Sequence, residues 1–343
     1  MFEGLPIFAN AAAFAAAAAI VWFAGTRLAR YADAIAKQTG IGQAVIGMLL
    51  LGSVTSLPEL AVATTATLQG APALSVNDVL GSAAINVVIL ALADAAIGRR
   101  DPLTGVVASP TVLLQGVLGM VSMALLVAPS LAGDRLLFGL GGWSWMLAAT
   151  YLVGLVLVSR SHAEQAWQPQ QAKPEGGDDD KQPQQEGGLR GLVLRSAAAG
   201  AVILVAGYVL AETGRALAEQ TGLGTSFFGA VVLGASTSLP EISTVLAAVK
   251  LRRYSMAVGE IFGTNMFNVT IVVLVDALHP GKPVLLEAGP FSSFAALVAL
   301  VLTAVYLCGI LERRDRVVLR MGVDSLAVLV LYAAGLAVLY TLK

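Results

Sequence analysis

Two glutamates carry the most telling chemistry of this 343-residue chain. Glu59 ends the run GSVTSLPE (52–59) and Glu241 ends GASTSLPE (234–241), each in the middle of a hydrophobic stretch. An ionised carboxylate there costs about 2.5–3.5 kcal/mol to insert even on the lenient insertion scale. The sequence places no Lys or Arg in a helix interior to neutralise either one, so a bound cation is the economical counter-charge. Pro58 and Pro240, one residue earlier, lack an N–H and release the carbonyls four residues back, at Val54 and Ser236. Thr55 and Ser56 precede Glu59 by four and three residues, on the same helical face, and Thr237 and Ser238 repeat the pattern before Glu241. Carboxylate, hydroxyl and carbonyl without sulfur or imidazole form a hard-cation set, suited to Ca²⁺, Na⁺ or Mg²⁺ rather than zinc or copper.

Farther along, Ser82 and Asn86, and likewise Thr264 and Asn268, fall at i and i+4 on one helical face. They read either as further ligands or as polar contacts between helices. Asp78 and Glu260 lie toward the starts of the same two segments. Three readings stay open for them: ion-attracting acids in the two mouths of the site, proton acceptors, or first-turn acids favoured by the helix dipole. Asp94 and Asp276, near the far ends, are expected to be structural, satisfied by interfacial water or, for Asp94, by Arg99 and Arg100. Other chemistries are excluded. Only two histidines occur, His162 and His279, both in expected loops, and the lone Cys308 can form neither an internal disulfide nor a metal cluster. A net charge of −1 gives no basic surface for nucleic acid. The pattern calls for no cofactor and no obligatory protein partner beyond lipid, and it does not read as an enzyme.

Such intramembrane polar groups need helices to hold them. Hydrophobic residues make up 57% and charged residues 13% of the chain, and uncharged runs such as 4–26, 102–133, 136–159 and 288–311 exceed the roughly 20 residues of a bilayer span. The expected fold is an all-α polytopic membrane protein with ten helices near 5–27, 41–69, 73–98, 104–128, 137–159, 192–218, 223–250, 255–278, 287–311 and 322–342. The first run lacks a basic leader and carries Glu3, so it reads as a helix rather than a signal peptide. At an offset of 182 residues AKQTGIG (36–42) matches AEQTGLG (218–224) at five of seven positions, and the two glutamate motifs match at six of eight. Asp78, Asn86 and Asp94 fall in step with Glu260, Asn268 and Asp276. Repeats of five helices each, an odd number, enter the membrane from opposite sides, so 1–160 and 189–343 form two inverted repeats with broken helices at the midplane. Lys and Arg number 17 on the side of the loops after helices 1, 3, 5, 7 and 9, against 4 on the other side, which puts the former in the cytoplasm and both termini outside the cell membrane. Residues 161–188, rich in Gln, Pro, Gly and acids, read as a disordered cytoplasmic linker.

At the paired GSVTSLPE/GASTSLPE and GSAAIN/GTNMFN motifs the chain resembles the cation/calcium exchanger superfamily, closely over 46–98 and 228–280. The resemblance implies ten helices, a central cation site lined by Thr55, Ser56, Glu59, Ser82, Asn86, Thr237, Ser238, Glu241, Thr264 and Asn268, and antiport of Na⁺ against Ca²⁺ by alternating access, with helices 1 and 6 sliding as gates. Proton coupling on the same fold is the alternative, and a passive cation channel is a weaker one. This chain departs from the family pattern at four places. Ala83 offers no side-chain oxygen where many members have Asn, whereas Asn265 keeps it; Asn268 stands where some members have Asp; and Asp78 and Glu260 replace residues that are more often neutral.

Overall fold

The fold is known from a computed structural model, which describes residues 2, 4–68, 70–97, 102–107, 109–163, 188–221, 234–279, 281–287, 289–312, 317–318 and 320–342. Helix α1 (Ile7–Thr39) is followed by a broken span. Its first arm, α2 (Gln43–Thr55), contains a π-helical stretch at Gly47–Gly52, and its second, α3 (Leu57–Leu68), departs at 42°. Then come α4 (Pro72–Ile97), the short α5 (Leu103–Val106), α6 (Pro110–Ala132), a hairpin of β1 (Leu136–Leu137) and β2 (Leu140–Gly141), and α7 (Gly142–Ala163). The second half has α8 (Leu189–Thr221), α9 (Gly234–Thr237), α10 (Leu239–Lys250), α11 (Tyr254–Leu278), α12 (Val284–Glu287) and α13 (Gly289–Glu312). It ends with a hairpin of β3 (Val317–Val318) and β4 (Met321–Gly322), and α14 (Val323–Thr341).

Among the described residues eight helices are long and apolar enough to span a membrane, nine if the bent pair α2–α3 counts as one span. The span expected at 223–250 begins outside the described residues, and α9 and α10 are its described part; most of the expected linker, 164–187, also lies outside them. Two boundaries differ from expectation for simple reasons. The charges from Arg27 to Lys37 end the apolar run but not the helix, so α1 continues to Thr39 and stops where Gly40 adopts a left-handed φ of 71°. At about 50 Å such a helix outreaches the roughly 30 Å hydrocarbon layer. Near 104–128, α5 is a separate turn and the span proper begins at Pro110, a residue preorganised for the first helical turn.

Burial is graded from the centre outward. The most hydrophobic windows of α4 and α11 are 67% buried, against 22% for α1, α7 and α14, so α4 and α11 form the core that other helices surround. Helices α1 and α8 pack against each other, and each also leans on a broken span, α1 on α10 and α8 on α3. Glycine permits both approaches: a Cβ on Gly25 would come within 1.9 Å of Ser243 Oγ, and one on Gly207 within 2.4 Å of Pro58 Cγ.

Asp94 and Asp276 are structural, but neither is solvated. Asp94 Oδ1 accepts the Leu103 N–H at 2.5 Å and Oδ2 the Gly322 N–H at 2.7 Å. Asp276 does the same with Val284 at 2.7 Å and Gly141 at 2.7 Å. Each buried carboxylate thus ties a short helix of its own half to the hairpin of the other half, and backbone N–H groups replace the expected water. At the end of α1, Asp33 pairs with Arg253 Nε at 2.6 Å and with Lys37 Nζ at 3.3 Å, joining that helix to the turn before α11.

Candidate cation site

The broken spans set the geometry. Both kinks fall two residues before proline, at Ser56 (φ −79°, ψ 0°) and Ser238 (φ −81°, ψ 5°), and the helix restarts with the proline in its first turn, where the missing N–H costs least. Ahead of the break the hydroxyls bond back to their own helix: Thr55 Oγ1 donates to the Leu51 carbonyl at 3.0 Å and Ser56 Oγ to the Gly52 carbonyl at 2.8 Å. Thr237 Oγ1 likewise donates to the Gly234 carbonyl at 3.2 Å. The π-helical stretch ahead of the first kink, a feature common at functional sites, left no mark in the residue pattern.

Glycines bring the kinks against the central helices. A Cβ on Gly52 would lie 2.9 Å from the Thr264 nitrogen, and one on Gly234 would lie 3.1 Å from that of Ser82. Only a residue without a side chain lets the backbones meet this closely. The result joins the two halves. Ser82 Oγ donates to Glu59 Oε1 at 3.0 Å and lies 2.9 Å from Ser238 Oγ. Because Ser82 has one proton and gives it to the carboxylate, Ser238 is the donor to Ser82, making a chain Ser238 to Ser82 to Glu59. Asn86 Nδ2 donates to Asn265 Oδ1 at 3.0 Å, and Asn265 Nδ2 donates to the Ala83 carbonyl at 3.1 Å. Ala83 thus contributes its backbone to the interface between α4 and α11.

All ten residues expected at the central site, Thr55, Ser56, Glu59, Ser82, Asn86, Thr237, Ser238, Glu241, Thr264 and Asn268, are fully buried. Six of their oxygens have no hydrogen-bond partner: Glu59 Oε2, both Glu241 oxygens, Asn86 Oδ1, Thr264 Oγ1 and Asn268 Oδ1. The Glu59 and Glu241 charges face each other, with no basic side chain paired to either among the described residues. No three Asp, Glu, His or Cys side chains there gather as a metal-holding group. The cluster offers two carboxylates together with neutral amide, hydroxyl and carbonyl oxygens.

Asp78 and Glu260 are as deeply buried as the central glutamates, so neither stands in a water-filled mouth in this conformation. Glu260 Oε1 lies against Thr244 Oγ1, whose single proton also has the Pro240 carbonyl at 3.0 Å and the Glu241 carbonyl at 3.1 Å within reach. Sequence reasoning missed Thr244; its place three residues after Glu241, on the same face of α10, was the signal available.

Comparison with known proteins agrees with the helical fold. The family model described as sodium/calcium exchanger protein matches residues 9–159 and 192–341. The inner membrane protein YrbG of Escherichia coli (strain K12) is 29% identical over 269 residues, covering 77% of this chain and 78% of its own. The putative antiporter CaxA of Alkalimonas amylolytica is 27% identical over 311 residues, covering 87% and 90%. Among solved structures, that of the sodium-calcium exchanger NCX_Mj soaked with 100 mM Na⁺ and 10 mM Sr²⁺ superposes with a TM-score of 0.71 at 15% identity, covering 97% of this chain and 99% of that one. The same exchanger soaked with zero Na⁺ and Ca²⁺ gives 0.69 at 16% identity, covering 97% and 100%. With helices built to span a bilayer, a cross-linked buried oxygen cluster and a family match over most of its length, this chain belongs to the sodium/calcium exchanger protein family, a family of integral membrane transporters rather than enzymes.

Proposed function

We propose that the chain is a secondary antiporter that extrudes Ca²⁺ at the expense of inward Na⁺, using one midplane site opened alternately to either side. The observation that carries this reading is the set of six buried oxygens without protein partners around Glu59 and Glu241. Two carboxylates balance one Ca²⁺, which takes six to eight oxygens at 2.3–2.6 Å. The same amides, hydroxyls and released carbonyls divide into smaller sets for Na⁺. Exchange rather than leak follows because crossing without a cation leaves two unpaired carboxylates in a dry core. Helices α1 and α8, at the periphery of the core, are the elements that move past it.

The two halves act as inverted repeats, with both termini outside and the 161–188 linker in the cytoplasm, as the distribution of Lys and Arg indicates. A cysteine placed at Gly177 in a Cys308→Ser background is then shielded from impermeant thiol reagents in intact cells, whereas one near Lys343 is labelled. The opposite pattern reverses the topology. Purified protein in liposomes, with Na⁺ and pH gradients imposed separately, tests the coupling: a Na⁺ gradient at equal pH moves Ca²⁺ against its own gradient. Ca²⁺ accumulation driven by pH alone, with no response to Na⁺, replaces Na⁺ with H⁺ as the coupling ion. The buried acids Asp78 and Glu260 favour that second reading.

A further inference from the structure

The hairpin between α6 and α7 ends in an apolar tip. Leu137 pairs with Leu140, so Phe138 and Gly139 make a two-residue turn. Both have positive φ, 51° and 87°, a geometry that favours Asn-Gly and is costly for a bulky aromatic residue. Phe138 nevertheless occupies it and is 97% exposed. In water this residue is unfavourable twice over, through its backbone and through its bare ring. Its surroundings repeat the pattern: Leu136 and Leu137 are exposed, and so is Leu131 on the last turn of α6. On the first turn of α7, Trp145 donates its indole N–H to the Leu137 carbonyl at 2.8 Å and Trp143 donates to the Gly133 carbonyl at 2.9 Å. These bonds satisfy both indoles on the backbone of the connection and leave the exposed Trp145 ring as apolar surface beside the tip.

The hairpin joins two helices built to span a bilayer, and Leu131 and Trp145 make its apolar patch continuous with their exposed sides. Tryptophan at the end of a span marks the membrane–water interface, where an apolar ring and a polar edge both find partners. Exposed Arg135, at the foot of the hairpin, offers a positive charge to phosphate head groups. We propose that this hairpin is a membrane anchor: Phe138 and the three leucines enter the phospholipid layer beside α6 and α7, at the boundary between head groups and acyl chains. Burial of the ring in lipid offsets the left-handed backbone that presents it. The anchor acts on the core, because Gly141 at the end of the hairpin donates its N–H to Asp276 Oδ2 of α11 at 2.7 Å. It holds that central helix at a set depth, whichever ions are exchanged. In the second hairpin the position matching Gly139 is Arg320, with φ 71°, so that turn carries a charge where the first has none.

The test places a nitroxide label at Phe138→Cys, in a Cys308→Ser background, on full-length protein in phosphatidylcholine liposomes. Its collisions with oxygen, which concentrates in lipid, are compared with those of a water-soluble nickel chelate, and a label at Gly177→Cys serves as the reference. At position 138 oxygen is expected to dominate, the reverse of position 177. A label at 138 that prefers the nickel chelate overturns the anchor. Spin–spin broadening that disappears on dilution with unlabelled protein overturns it too, and assigns the tip to a second copy of the chain. Because the label is itself apolar, Phe138→Asn gives an independent measurement. Asparagine tolerates positive φ, so this variant relieves the backbone and removes only the ring. Its thermal midpoint in phosphatidylcholine nanodiscs is expected to shift below that of wild type. An unchanged or higher midpoint means that nothing covers the ring and overturns the proposal.

Discussion

The two halves of this protein share their motifs and differ in how they finish them. Glu59 has one oxygen held by Ser82, whereas Glu241 has neither oxygen bonded. Asn265 binds across the central interface, and its counterpart Ala83 answers only with its carbonyl. Glu260 has Thr244 beside it, and the residue corresponding to Thr244 in the first half is Val62. By contrast, the aspartates at the far ends of the central helices are matched bond for bond. Scaffold contacts kept their symmetry while the polar centre diverged, as expected if moving one ion by two routes requires equivalent frames but unequal ligands.

The comparison breaks most completely at the glutamates. Glu59→Gln or Glu241→Gln keeps the volume and removes the charge, so each is expected to abolish Ca²⁺-coupled flux in liposomes while the protein still purifies as a folded species. Near-normal flux by either variant refutes their role. The inequality of the two carboxylates sharpens the test: Ser82→Ala frees Glu59 Oε1 and breaks the Ser238–Ser82–Glu59 chain, lowering apparent Ca²⁺ affinity by roughly tenfold. Its counterpart Thr264→Ala, whose hydroxyl donates to nothing, is expected to have the smaller effect on binding isotherms. Equal effects would mean that the two halves contribute alike.

The matched aspartates come next. Asp94→Asn and Asp276→Asn each leave one buried N–H facing an amide that cannot accept it, at a cost of about 1–3 kcal/mol. Thermal unfolding in detergent should fall by similar amounts in both, and a large difference between them would contradict the bond-for-bond symmetry. The smallest effect is expected at the edge of the fold. Arg253→Gln removes one of two basic partners of the buried Asp33 and leaves Lys37 paired with it; Arg253 has no basic counterpart in the first half, where position 71 is alanine. A change of about 1 kcal/mol or less in stability is expected from the same melts.

Much of this was legible in the sequence because bilayers punish polar residues. Glu59, Glu241, Asn86 and Asn268 stand out against apolar runs and repeat at 182 residues, and all four are buried in the structure. What the residue pattern could not show was local geometry that leaves composition unchanged. The π-helical stretch at Gly47–Gly52 and the hairpin at 136–141 use ordinary residues. The direction of the Thr55 hydroxyl, whose proton goes to the Leu51 carbonyl, is not set by residue type either. Asp94 and Asp276 looked interfacial because their partners are backbone N–H groups, which carry no signature in sequence. Thr244 was visible as a residue but not as a donor, since threonine in a helix most often bonds its own backbone.

The most direct measurement is anomalous diffraction from crystals of this protein grown with Ca²⁺. One strong peak is expected between the carboxylates of Glu59 and Glu241, within about 2.3–2.6 Å of oxygens from both and completed by neutral oxygens of α4 and α11. A Ca²⁺ peak elsewhere, with these two carboxylates bound only to protein groups, would contradict the central site.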